Sequence, residues 1–226
     1  MSIWTRISDA LAALTAGEGL SAVFDRLRSP PERSVAFTIA VIALGAKMAK
    51  ADGQVTRDEV TAFREVFDIA AQDEAGAAKV FNLARQDAAG FEEYARRIRS
   101  MFNGQPDTLR DLLEGLFHIA MADGFFHHND NAFLEEVNRI FGVPETEFNA
   151  LRMRFAPDEP QDPYTVLGVS PNMPFADIRK AYRKLVRENH PDAMVARGVP
   201  EEALLLAQKR MADITKAWDE IESRGA

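Results

Sequence analysis

The sequence predicts an all-α protein in which a helical bundle is followed by an antiparallel helical hairpin. Three observations carry that expectation. Apolar residues recur at spacings of three and four along the chain, the period of helices with one buried face. Runs rich in β-branched residues with period two do not occur outside the segment from Val35 to Ala46. The helical pattern is interrupted at Ser29-Pro30-Pro31 and again at Pro157-Asp158-Glu159-Pro160-Gln161-Asp162-Pro163, and prolines at that density cannot continue a helix. The second interruption is the stronger, and it divides the chain into residues 1–28, a bundle over 29–156, a linker over 157–163 and a terminal module over 164–226.

Composition narrows the function classes. The 226 residues are 46% hydrophobic and 27% charged, values of a folded globular protein. The absence of cysteine removes disulfide scaffolds, thiol nucleophiles and thiolate metal sites. A net charge of -8 and a pI near 5.1 argue against nucleic acid as a partner. The charge is unevenly placed: from Gln161 onward ten Lys/Arg balance ten Asp/Glu, so all of the net negative charge belongs to residues 1–160.

At the N-terminus, Asp9 breaks the apolar run that a secretory signal requires. Ile3, Trp4, Ile7, Leu11 and Leu14 form a helical stripe whose polar side offers only Arg6 against Asp9. Helices lying on lipid are richer in Lys/Arg, so docking onto the protein's own body is the preferred reading, with peripheral membrane contact through residues 1–28 as the alternative. The next segment, VAFTIAVIALGA from Val35, is 12 residues long between Arg33 and Lys47. A span needs about 20, so a buried core helix is expected.

The bundle contains an internal repeat. Lys47-Met48-Ala49-Lys50-Ala51-Asp52-Gly53 reappears as His118-Ile119-Ala120-Met121-Ala122-Asp123-Gly124 at an offset of 71 residues, with an acid seven after each Asp, Glu59 and Asp130. Each copy reads as a helix, a glycine-ended turn and a second helix. Two readings compete for the acids. In one, Thr56 and Glu59 form a capping box; in the other, the acids of both copies converge on a cation with His127 or His128. Two acids per turn fall short of a self-sufficient calcium site, so capping is preferred and no metal ligand or cofactor is assigned. This arrangement resembles the TerB-like helical domain over about residues 30–150, which implies a pseudo-symmetric bundle.

After Pro163, Tyr164-Thr165-Val166-Leu167-Gly168-Val169 reads as a short apolar helix stopped by Gly168, and Pro174 begins a helix running to about Glu188. Ile178, Ala181, Tyr182, Leu185 and Val186 share its apolar face, while Arg179, Lys180, Arg183, Lys184 and Arg187 occupy the other. From about Pro200 to Glu222 a further helix presents Leu204, Ala207, Met211, Ile214, Trp218 and Ile221 at alternating spacings of three and four. That seam packs one helix against another at a shallow angle, giving the hairpin. Between the two lies His190-Pro191-Asp192, where Pro191 ends the helix and projects His190 and Asp192 at the tip.

The segment resembles a J-domain, the module of DnaJ-type co-chaperones, in its first helix, in Ile178-Arg179-Lys180-Ala181-Tyr182-Arg183-Lys184-Leu185, in His190-Pro191-Asp192 and in Ile214-Thr215-Lys216-Ala217-Trp218. The resemblance implies a partner Hsp70 of the DnaK type, met by the cations of the second helix together with Tyr182, and stimulated in its ATPase by His190, Pro191 and Asp192. No nucleophile, phosphate loop or complete metal motif accompanies these residues, so the chain is expected to be no enzyme itself. Asn189 stands where many members have an aromatic residue, and no Gly/Phe-rich linker or zinc module is present. The order of the two domains resembles the DjlA group of bacterial co-chaperones, in which the bundle would select an unknown client or a location. That group is anchored in the inner membrane by an N-terminal span that this sequence lacks, so a cytoplasmic protein is expected, with the inner-membrane surface as the peripheral alternative. The competing reading is an acidic scaffold or stress sensor whose bundle binds a metal ion or signalling partner.

Overall fold

In a computed structural model, the described residues are 3–12, 20, 23, 33–52, 66–67, 69, 74–86, 90–121, 128–155 and 162–225. All regular structure among them is helical. The elements are α1 (Ile3–Ala12), α2 (Arg33–Asp52), α3 (Glu74–Gln86), α4 (Phe91–Met101), α5 (Pro106–Ala120), α6 (His128–Phe141), α7 (Glu145–Phe155), α8 (Pro163–Val166), α9 (Phe175–Glu188), α10 (Pro191–Ala196) and α11 (Leu204–Gly225), with one 3-10 turn at Glu201–Ala203 before α11.

The apolar segment from Val35 is the centre of the bundle. Every side chain described from Val35 to Ala49 is buried, including Thr38 and Lys47. A helix apolar on all sides has to be surrounded, and α1, α3, α4, α5 and α6 surround α2. Thr38 donates its hydroxyl to Ser34 O at 3.0 Å, and the Lys47 ammonium sits 5.0 Å from the centroid of the Tyr94 ring. No helix among the described residues is long and apolar enough to cross a membrane.

On α1, Ile3, Trp4, Ile7 and Leu11 are buried against α2 and α3, with the Trp4 ring edge-on to Phe67. The stripe read from the sequence therefore faces the bundle. Leu14 lies outside the described residues, as do both repeat turns with Gly53, Thr56, Glu59, Asp123, Gly124 and His127; the Asp52 side chain is likewise not described. Of the repeat's acids, Asp130 is described, buried in the first turn of α6.

The seam on the last long helix divides between two cores. Ile214, Ala217, Trp218 and Ile221 close a small core with Leu167 and Ile178, the packing expected of the hairpin. Leu206 and Ala207, with Met194, Val199 and Ala203 before them, instead join the core of the bundle, and Leu204 packs against it. The hairpin thus lies against the bundle through the chain from α10 to the first turns of α11.

Candidate functional site

The local sequence builds the tip in steps. Asp162 caps α8, its Oδ2 accepting from the Thr165 amide at 2.9 Å and from the Thr165 hydroxyl at 2.7 Å. Against the opposing push of partial burial, these bonds hold the Asp162 carboxyl below its usual range. Pro163 is the first helical residue, so the helix starts one position before Tyr164. Gly168 then closes the turn at φ +63°, a left-handed conformation that a side chain resists, and the Val169 amide returns to Tyr164 O at 2.9 Å. Pro174 stands just before α9, at φ -55° and ψ 137°, so that helix starts one position later than the sequence predicts, at Phe175.

On α9, Tyr182 is half-buried and stacks on Trp218 with centroids 4.7 Å apart and planes 12° from parallel. The five cations of the opposite face are exposed. Two of them have partners on the hairpin. Arg179 lies over the Phe175 and Trp218 rings at 5.5 and 5.9 Å and 3.8 Å from Glu222, while Lys184 is 3.7 Å from Glu188. No ion pair is formed by Lys180, Arg183 or Arg187 among the described residues, which leaves their charge turned to solvent.

At the tip His190 takes φ -62° and ψ 139°, as a residue before proline should, and the helix stops. Pro191 also opens a new element, because a fixed φ and a missing amide hydrogen suit the first position of a helix. The sequence shows the stop and hides this start: His190 is the cap of α10, its Nδ1 accepting from the Asp192 amide at 3.2 Å. His190 and Asp192 are 3.5 Å apart with side chains 55% and 93% exposed, so both functional groups are open to a partner.

Residues 38–153 match the family of the tellurite resistance protein TerB, more than half of the chain. The chain belongs to the TerB family. Residues 162–223 match the DnaJ domain. Its relatives include the co-chaperone protein DjlA of Photobacterium profundum, 29% identical over 84% of this chain and 78% of that one. That of Escherichia coli K12 is 27% identical over 99% and 98%, and that of Vibrio parahaemolyticus 26% over 88% and 81%. No solved structure matches significantly. A TerB domain followed by a DnaJ domain, with DjlA relatives across its length, makes the chain a DjlA-like J-domain co-chaperone, a regulator by family rather than a catalyst.

The DnaJ domain is fastened to the TerB domain by ion pairs that local periodicity in the sequence does not reveal. Asp111 and Glu114 of α5 are buried among Leu112, Leu113, Leu116 and Phe117. Asp111 Oδ1 accepts from Arg210 Nη2 at 2.8 Å and Oδ2 from Arg197 Nη2 at 3.0 Å. Glu114 pairs with Arg210 and accepts from Arg154 Nη2 at 2.8 Å, and Arg154 reaches on to Asp213 at 3.2 Å. Burial lowers the pKa of the Arg210 and Arg154 guanidiniums, opposed by Asp111 and Asp213 respectively, yet a guanidinium keeps its proton in a protein. Paired opposite charges are what makes this burial tolerable.

The same network accounts for Asn189. It is 2% exposed, its Oδ1 accepts from Arg210 Nη1 at 2.6 Å, and its Nδ2 donates to Leu185 O at 2.7 Å. An aromatic residue could not take the hydrogen that Arg210 offers. The clue in the sequence was charge inside apolar stripes: Asp111 and Glu114 three apart among leucines, and Arg210 between Ala207 and Ile214 of the seam. Among the described residues no group of three or more His, Asp or Glu could hold a metal ion.

Proposed function

We propose that the chain stimulates the ATPase of a DnaK-type Hsp70 through His190, Pro191 and Asp192, with Arg179, Lys180, Arg183, Lys184, Arg187 and Tyr182 forming the surface on which that partner docks. The observation that supports this most is the juxtaposition of an exposed His-Pro-Asp tip with unpaired cations on the helix leading to it. Exposed like charges on one face contribute little to stability, whereas they steer an acidic partner and orient it. Tyr182 lends its ring to the hairpin core and its rim to the surface.

In this reading the Hsp70 performs the chemistry and the chain regulates it. The division into residues 29–156 and 164–226 assigns choice of client or location to the acidic bundle and recruitment of the Hsp70 to the hairpin. The names of the DjlA relatives support a chaperone partner. The test is hydrolysis of ATP by a purified DnaK-type Hsp70 with and without the full chain. Stimulation that is lost in His190→Gln, with the circular dichroism unchanged, supports the reading. Equal stimulation by the variant refutes it.

A further inference from the structure

We infer that Asp111 of the TerB domain is a positioning residue for the His-Pro-Asp tip, acting through Arg210 and Arg197 on the two residues that precede His190. The inference rests on the function proposed above.

Among the described residues the side chains of His190 and Asp192 meet only each other, at 3.5 Å, and the Asp192 amide, while the His190 carbonyl accepts from the Ala193 and Met194 amides within α10. The direction in which they project is therefore set by the backbone on either side: on the leaving side by α10, whose Met194 is buried in the bundle core, and on the entering side by Glu188 and Asn189. Both residues are clamped from the same carboxylate. Along one arm Asp111 Oδ1 binds Arg210, whose other nitrogen, Nη1, holds Asn189 Oδ1 at 2.6 Å, while Asn189 Nδ2 bonds Leu185 O at 2.7 Å and fixes the side chain to the last turn of α9. Along the other, Asp111 Oδ2 binds Arg197, whose Nη1 donates to Glu188 O at 2.7 Å. Thr108, one turn before Asp111, completes the grip by donating to the Arg197 carbonyl at 3.4 Å.

Each arm uses what distinguishes arginine from lysine, a rigid fork able to satisfy two acceptors at once. For attachment alone an apolar interface would serve as well, since well-packed hydrophobic residues often match or exceed buried ion pairs in stability. What the fork adds is direction. It ties the entry to the tip to a carboxylate on a helix of the other domain, so the bundle sets the angle at which His190 and Asp192 meet a partner.

The test uses the full chain in four variants. Arg210→Lys keeps a cation opposite Asp111 and Glu114 but cannot also hold Asn189. Asn189→Ala removes the acceptor, Asn189→Asp retains it, and Asp192→Asn controls for the tip itself. Three quantities are read: maximal stimulation and half-saturating concentration with a DnaK-type Hsp70, and the backbone amide resonances of His190, Asp192 and Ala193, which need no partner. In Arg210→Lys and Asn189→Ala, maximal stimulation falls about tenfold, as for a displaced catalytic contact. The half-saturating concentration, set by the α9 cations, stays within about twofold, an effect below 0.5 kcal/mol. The tip amides shift, and Asn189→Asp retains more stimulation than Asn189→Ala.

Maximal stimulation within about twofold of wild type in both variants with unmoved amides overturns the inference, as does an effect confined to the half-saturating concentration. In either case, loss of activity in Asp192→Asn leaves the proposed function standing. A wild-type chain without stimulation removes that function, and amides unmoved by Arg210→Lys then remove the clamp independently.

Discussion

Replacing Asp111 by Asn takes one negative charge out of a site that is 0% exposed and faces two guanidiniums. The contacts at 2.8 Å to Arg210 and 3.0 Å to Arg197 are charge-assisted, each contributing about 1.5–3 kcal/mol. Arg210 keeps Glu114 and Asn189 beside it, and Arg197 keeps the Glu188 carbonyl. Part of the charge thus stays compensated, and the loss falls at the lower end of the range for a broken buried pair, about 3 kcal/mol. With a urea slope of about 2–3 kcal/mol/M, the unfolding midpoint drops by about 1 M.

The chain has two tryptophans, Trp4 in the bundle core and Trp218 in the hairpin core. Fluorescence of Trp218→Phe and Trp4→Phe backgrounds therefore follows each domain separately. Without the Asp111 change the two transitions coincide. With Asp111→Asn both move to lower urea and they separate, the weakened contact no longer coupling the domains. A midpoint shift below about 0.2 M with coincident transitions would refute the reasoning.

Three further outcomes are expected. Ile7→Ala, at a fully buried position on α1, lowers stability by about 3 kcal/mol in the same denaturation assay, whereas a helix lying on solvent would lose almost nothing. Asp162→Ala costs about 1 kcal/mol at neutral pH. Because the folded Asp162 carboxyl lies below its unfolded value of about 3.9, the cap's contribution is complete above that pH and fades as pH falls through the folded value, so thermal melts of variant and wild type converge in acid. Reversing charge at Lys180 and Arg183 together raises the half-saturating Hsp70 concentration about tenfold, with the effect shrinking in salt and unfolding unchanged within about 0.5 kcal/mol.

Much of this molecule was legible in its residues. Period and length identified the segment from Val35 as a core helix because a stretch apolar on all sides has no other stable place. The hairpin seam and the two faces of α9 followed from spacing and the helix stop at His190 from the conformational limits of proline, whereas the role of His190-Pro191-Asp192 came from the resemblance to a J-domain. The interface between the domains was hidden for a physical reason. Asp111 meets Arg197 and Arg210 across 86 and 99 residues of sequence, and local periodicity has no term for partners that far apart. Asn189 looked like a departure from the DnaJ pattern until Arg210 stood beside it. The seam of α11 also read as one surface, although its first turns serve the bundle core and its later turns the hairpin core.

Asp192 tests the role of the tip most cleanly because its side chain is 93% exposed, so that changing it should leave folding intact. The measurement is a single-turnover rate of ATP hydrolysis by a DnaK-type Hsp70 mixed with the full chain or with Asp192→Asn. Wild type is expected to accelerate hydrolysis, and the variant, equally folded, to leave it at the basal rate. Acceleration by the variant equal to that of wild type would contradict it.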